Sequence, residues 1–289
     1  MSPDRPLHPG LDAAQDARLR AWLPDGELVA DHSWSALAQR TVLRVRSGGQ
    51  DVVVKAGFPG DHHMDREVTA HERWLAPLVE RGRAPRLVHA DRELRLVVTA
   101  WLPGVLVEGH PAQDDPETYR QAGELLAVLH GQHRQVDDAF EARQNARALE
   151  WLARPHRIEP GLARRLVARV EGWPAPPVTV VPVHDDAQPR NWLVHDRQVS
   201  FIDFGKVELK PAAVDLGRLG EQDFRRDGAL ERAFLDGYGH DPRVDDAPDA
   251  DWWWRVRVRG AIAQAVWAHQ VGDVAFEDAG LEILKDLMG

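Results

Sequence analysis

The sequence predicts an α+β protein of two lobes: a small N-terminal antiparallel sheet with one helix packed on it, and a larger, mainly helical C-terminal lobe. Three observations predict it. Short β-branched runs dominate residues 27–99, apolar stripes of helical period dominate from residue 116 onward, and one tight hairpin interrupts those helices. The boundary falls near Pro103, so residues 1–102 form the first lobe and 103–289 the second.

In chain order, residues 11–23 read as a first helix, and strands follow at 27–31, 41–46, 51–56, 86–89 and 94–99. The run Asp-Val-Val-Val-Lys-Ala at 51–56 has three consecutive β-branched residues, which suit a strand, and puts Lys55 at its end. Between the third and fourth strands Met64, Val68, His71, Leu75 and Leu78 recur at three- and four-residue spacing, which predicts one amphipathic helix from His63 to Val79. In the second lobe Tyr119, Ala122, Leu125, Leu126 and Leu129 mark a helix ending at His130. Further helices are expected at 138–154, 160–171, 215–219, 229–238, 251–270 and 277–287. Proline-containing stretches at 173–177 and 239–248 read as loops. Trp252, Trp253 and Trp254 cannot all face one ligand from a helix, so the run reads as packing first.

The densest chemistry lies in His184-Asp185-Asp186-Ala187-Gln188-Pro189-Arg190-Asn191, followed by Phe201-Ile202-Asp203-Phe204-Gly205. Residues 192–194 and 199–202 read as two short strands around a His195–Gln198 turn. Such a hairpin brings Asn191, at the start of one strand, beside Asp203, at the end of the other, and offers oxygen ligands to one hard cation.

This stretch resembles the aminoglycoside phosphotransferase family, which takes in choline-kinase-like and other small-molecule kinases of protein-kinase-like fold. The family's string is H-G-D-x-x-x-x-N, then I-D-(F/W), then D-(L/F/P), matched here by His184, Asp186, Asn191, Ile202-Asp203-Phe204 and Asp215-Leu216. The resemblance implies that Asp186 accepts the proton of a substrate hydroxyl, that Asn191 and Asp203 hold Mg²⁺, and that His184 and Asp215 hold the catalytic loop. Asp185 stands where the family has glycine. It is read as tolerated there, with a second carboxylate expected to raise the pKa of Asp186. Gln188 occupies a position where relatives carry a basic residue, and it offers a hydrogen bond to the transferring phosphate without a charge.

The same resemblance makes demands on the first lobe. Lys55, the only lysine before Lys206, meets the first, since a compact ammonium can touch phosphate oxygens and a carboxylate together. Glu67 and Glu72 compete to pair with it. At about 100° per residue, Glu67 falls roughly 60° from the centre of the apolar stripe and Glu72 roughly 80°, which favours Glu67. Trp101-Leu102-Pro103-Gly104 matches the family's interlobe linker, so Thr99, Ala100 and Trp101 are expected to line the base pocket. No glycine cluster precedes the strand at 41–46. Ser33 and Ser35 are candidates for binding phosphate or for a plain turn.

The expected function is ATP-dependent phosphorylation of a small-molecule hydroxyl, with GTP as an alternative nucleotide. An antibiotic or related natural product is the first acceptor class. A metabolic kinase acting on choline, a sugar or an amino acid is the second, and a nucleotide-binding pseudokinase scaffold the third. A cationic acceptor would be held by carboxylates near the last helices, namely Asp273, Glu277 and Asp278, with Glu221 and Asp223 earlier, Asp185 beside the loop and Trp267 in the pocket wall. A net charge of −10 argues against nucleic acid as a partner. No stretch reaches the ~20 apolar residues of a membrane span. The N-terminus lacks a signal-peptide pattern and the chain has no cysteine, which suits the cytoplasm, and a monomer or homodimer is expected.

Overall fold

The computed structural model describes residues 6–33 and 40–289. Helix α1 (Ala13–Trp22) opens on a reciprocal cap between Asp12 and Gln15, and the Gln15 amide donates onward to the carbonyls of Gly57 and Leu94, tying the helix to the sheet. Five antiparallel strands follow: β1 (Glu27–Asp31), β2 (Thr41–Ser47), β3 (Gln50–Ala56), β4 (Leu87–Asp91) and β5 (Leu96–Ala100), in spatial order β1-β2-β3-β5-β4. The alternation in β3 buries Val52, Val54 and Ala56 on one face and turns Lys55 to the other.

The expected helix from His63 to Val79 is two helices, α2 (His63–Arg73) and α3 (Ala76–Glu80). Pro77 is the reason: it has no N–H to continue the ladder and is accommodated in the first turn of a new helix.

The chain leaves the sheet through Gly104, whose φ of 131° suits glycine and where a Cβ would lie 2.9 Å from the Val194 carbonyl oxygen. The second lobe contains β6 (Val105–Leu106), α4 (Pro116–His130), β7 (Gln135–Asp137), α5 (Phe140–Leu152), α6 (Pro160–Glu171), β8 (Val178–Val183), β9 (Trp192–His195), β10 (Gln198–Phe201) and β11 (Glu208–Lys210). It closes with α7 (Leu216–Glu221), α8 (Asp223–Arg226), α9 (Gly228–Tyr238), α10 (Trp252–Val271) and α11 (Val274–Met288). Strands β6, β7, β8 and β11 have no counterpart in the sequence reading. Three are only two or three residues long, and Pro182 disguises β8 as a loop.

Helices α4 and α9 approach closely at two glycines. A Cβ on Gly123 would stand 2.1 Å from the Phe234 carbonyl oxygen, and one on Gly237 1.9 Å from that of Arg120. The main core lies under this pair, with Tyr119, Leu126, Trp192, Phe201, Phe204 and Phe234 all buried in it. Trp252 is core: it is 1% exposed and its indole N–H donates to Glu141.

Candidate active site

The β9–β10 hairpin pairs Trp192 with Phe201 and His195 with Gln198. Its two turn residues, Asp196 and Arg197, both have positive φ, the form that matches strand twist in a two-residue hairpin. Asn191 and Asp203 therefore sit at the open end. The Ile202 N–H donates to the Asn191 carbonyl at 3.0 Å, and the Asn191 amide donates to the Asp186 carbonyl at 2.9 Å. The amide oxygen of Asn191 is left for another partner. Asp203 adopts φ 63°, and its carboxylate is 52% exposed, facing the cleft.

Lys55 spans the lobes. Its Nζ lies 2.8 and 2.9 Å from the two Glu67 oxygens and 2.9 Å from Asp203 Oδ1. Burial alone would lower the lysine pKa, but the Asp203 and Glu67 charges outweigh it and hold the ammonium above its ordinary range. The same Lys55 charge holds Asp203 far below the usual carboxylate range. Glu67 is buried on the face of α2 turned to Lys55, whereas Glu72 pairs on the surface with Arg92.

Asp186 is 6% exposed and receives Arg190 at 2.8 Å, Lys206 at 3.1 Å and the amide of Gln188. The Gln188 amide is thus engaged by Asp186. The sequence reading expected Asp185 to push Asp186 up, and the structure reverses this. Burial does raise Asp186, but the Lys206 and Arg190 charges more than offset it, and the carboxyl lies below its ordinary value. Asp185 turns away to Lys210 at 2.8 Å.

The backbone at Asp185 fits the reading of that residue as tolerated in glycine's place. Its φ is 60°, a left-handed conformation that glycine adopts freely and that aspartate tolerates better than most residues. Asp215 fastens it: Oδ1 accepts the Asp185 N–H at 2.6 Å and Oδ2 accepts the His184 N–H at 2.8 Å. His130 Nε2 stands 2.9 Å from Asp215 Oδ2, and its Nδ1 2.8 Å from the Tyr238 hydroxyl. The pattern ending in Leu129-His130 was visible in the sequence, but the contact that joins it to the loop was not. His184 is wholly buried between Phe201 and Phe204, with Nε2 3.1 Å from the Ile202 carbonyl, so it supports the loop without reaching the cleft.

In the linker, Thr99 is buried in β5, the Ala100 N–H donates to the Arg86 carbonyl, and the Trp101 N–H donates to the Asp51 backbone carbonyl. The Arg44 guanidinium lies 4.1 Å over the Trp101 ring. The first backbone N–H beyond the sheet without a partner among the described residues belongs to Leu102, which the sequence reading passed over. Pro103 follows and has no N–H, so Leu102 is the last donor before the turn, a signal available in the sequence. Ser33 Oγ accepts the Val42 N–H, a turn contact, and Ser35 lies outside the described residues.

A cavity of about 420 Å³ opens beside Asp186, walled by α2, α5, the 206–210 segment and α7. Of the carboxylates expected to hold a cationic acceptor, Asp185 lines this cavity but is paired with Lys210, and the others are committed elsewhere. Asp273 caps α11, Glu277 and Asp278 pair with Arg157, Glu221 pairs with Arg257, and Asp223 accepts the Tyr119 hydroxyl. Trp267 is exposed and packs edge-on against Phe276, outside the cavity lining.

Two lobes bridged by a lysine between two carboxylates, with a buried aspartate at the mouth of a cavity, define a kinase-type phosphotransferase. The sequence model of the phosphotransferase enzyme family (APH) matches residues 34–252, and the chain belongs to that family. It is a small-molecule kinase. Among solved structures it resembles the choline kinase LicA from Streptococcus pneumoniae, at 12% identity and a TM-score of 0.67, over 93% of this chain and 97% of that one. A thermostable mutant of aminoglycoside phosphotransferase APH(4)-Ia, in ternary complex with ADP and hygromycin B, gives 12% and 0.67 over 94% and 96%. The macrolide 2'-phosphotransferase MphH from Brachybacterium faecium gives 19% and 0.59 over 95% and 98%. At these identities the likeness is one of fold. No curated protein matches the chain. Among the described residues no helix is long and apolar enough to cross a membrane.

Proposed function

We propose that this chain transfers the γ-phosphoryl group of ATP to a hydroxyl of a small molecule, in the cytoplasm, where ATP is. The observation that carries the reading is the Lys55–Glu67–Asp203 bridge standing in one cleft with Asp186. Lys55, fixed by Glu67, presents its ammonium to the nucleotide phosphates, and the Leu102 N–H and the Ala100 carbonyl meet the base edge.

The donor set fits a magnesium ion. The Asn191 amide oxygen and the outer Asp203 oxygen are hard ligands, and no group of three His, Cys, Asp or Glu side chains among the described residues forms a closed metal cage. Magnesium takes one or two protein oxygens, with phosphates and water completing its shell. When bound, it would neutralise charge on the phosphates.

In the transfer, the acceptor oxygen bonds to the γ-phosphorus and the bond from that phosphorus to the β–γ bridging oxygen breaks. ADP leaves with that oxygen, and the hydroxyl proton passes to the Asp186 carboxylate and then to solvent. A carboxylate stabilised by Lys206 and Arg190 is a weak base. It therefore orients the hydroxyl first and takes the proton late, once the forming bond has made that proton acidic. Lys206 and Arg190, already within 3.1 Å of Asp186, supply positive charge beside the reacting group.

The test is label transfer from γ-labelled ATP across hydroxylated antibiotics and metabolites. Label appearing in a phosphate monoester, and lost in Asp186→Asn, supports the reading. Label found only in inorganic phosphate, unchanged in that variant, refutes it.

A further inference from the structure

The cavity beside Asp186 has the opposite charge character to the chain around it. The protein carries a net −10, yet five basic side chains converge here from separate elements: Arg66 on α2, Arg147 on α5, Lys206 and Lys210 beyond Asp203, and Arg218 on α7. Four lysines occur in the whole sequence and two of them are in this wall. The acidic groups facing them do not cancel them. Glu208 pairs with Arg66 at 2.9 Å, Asp185 with Lys210 at 2.8 Å and Asp186 with Lys206 at 3.1 Å. Asp215, the remaining carboxylate of the lining, is fully buried and spent on two backbone N–H groups and His130.

One cation is left over and a second is held only at long range. Arg147 is exposed on α5 and makes no hydrogen bond or ion pair among the described residues. Arg218 has Asp186 as its nearest carboxylate, at 3.9 Å, and otherwise lies over the Phe276 ring. An arginine fork with no carboxylate partner, as in Arg147, beside one that reaches its carboxylate only at 3.9 Å, as in Arg218, matches the geometry of a carboxylate or phosphate ligand at the wall of a cavity.

We propose that the acceptor is an anion: a small hydroxylated molecule bearing a carboxylate or phosphate group, held by Arg147 and Arg218 while its hydroxyl reaches Asp186. The inference rests on the reading of Asp186 as the transfer site and specifies the substrate class of that site. It has a chemical rationale. An anionic acceptor must approach the polyanionic end of ATP, and without a basic wall the two would repel each other. Cationic acceptors meet the reverse condition, since every carboxylate near the cavity already has a basic or backbone partner.

A six-carbon sugar series separates the charge classes: gluconate, the open-chain acid, carries a carboxylate, glucose 6-phosphate a phosphate, glucose no charge and glucosamine an amine. ATP turnover with each is measured alongside MgATP binding and basal ATP hydrolysis. Binding of inorganic sulfate in the presence of MgADP is measured by calorimetry as a probe that needs no particular scaffold. Sulfate is expected to bind and to weaken at least tenfold in Arg147→Ala, with partial recovery in Arg147→Lys and no change in the exposed control Arg164→Ala. Any scaffold that is turned over should be an anionic one, with KM raised at least tenfold by Arg147→Ala. Gluconate or glucose 6-phosphate responding alone identifies which anion is preferred. Sulfate binding that is absent or indifferent to Arg147, or turnover that favours glucose or glucosamine, overturns the inference. Absence of both MgATP binding and basal hydrolysis would instead count against the kinase reading itself.

Discussion

The Asp185 N–H donates to Asp215 Oδ1 at 2.6 Å, and this bond fastens a residue whose φ of 60° places it in the left-handed region. The loop that carries Asp186 is thereby clamped by a carboxylate thirty residues further along the chain, itself held by His130. The strain at Asp185 and its restraint are adjacent, which makes both measurable.

Asp185→Ala and Asp185→Gly each remove the Lys210 ion pair, so the difference between them isolates the backbone. Because only alanine carries a Cβ in the left-handed conformation, the alanine variant should be less stable by about 1 kcal/mol. Urea unfolding of the two proteins checks this, and equal midpoints would show that the loop does not hold this conformation in solution.

Asp186→Asn should retain MgATP binding and lower kcat by at least ~10²-fold, the scale for losing a positioned base. The wild-type carboxyl lies below its ordinary value, so it stays ionised throughout the neutral range and well into acid. The rate should therefore show no acid limb from Asp186 between about pH 5 and 8. Steady-state kinetics across that range tests both statements, and near-normal turnover by the variant would remove Asp186 from the mechanism.

Metal and nucleotide binding should divide between two residues of one hairpin. Asp203→Ala should weaken MgATP binding more than Asn191→Ala, because a carboxylate brings charge to the cation and an amide does not. Asp203→Ala also takes away one of the two anions beside Lys55. Titration calorimetry with and without magnesium gives the comparison, and an Asp203→Ala protein with unaltered magnesium dependence would contradict the assignment.

His71, half-buried on α2 one turn beyond Glu67, with its Nε2 shielded and edge-on to Phe204, is pH-sensitive. Burial, aided by the Lys55 charge, lowers its pKa to about 4. Between that value and the unfolded-state value of about 6.5, the unfolded chain binds the extra proton, so stability rises with pH in this window. The stabilisation is full above about pH 6.5 and is lost progressively toward pH 4, by up to about 3 kcal/mol. Chemical denaturation of wild type and His71→Leu across this range should show a steeper loss in the wild type, and parallel curves would rule out a buried neutral imidazole.

Much of this site was legible before the fold was known, because its groups are ordered by local geometry. A β-branched run puts Lys55 at a strand end, a helical stripe favours Glu67 over Glu72, and a hairpin of fixed register sets Asn191 and Asp203 at one end. Strand alternation, helix periodicity and turn length act over a few residues, and a sequence displays them directly.

The fate of individual charges was settled at longer range. Nothing near Glu277 in the chain announces Arg157 as its partner, and nothing near Asp186 announces Lys206, twenty residues on. An acidic stretch in sequence became a set of caps and ion pairs, while basic residues from separate elements met around one cavity. Whether a charged side chain is free for a ligand depends on which neighbours packing brings within a few ångströms, and residues far apart in sequence supply those neighbours.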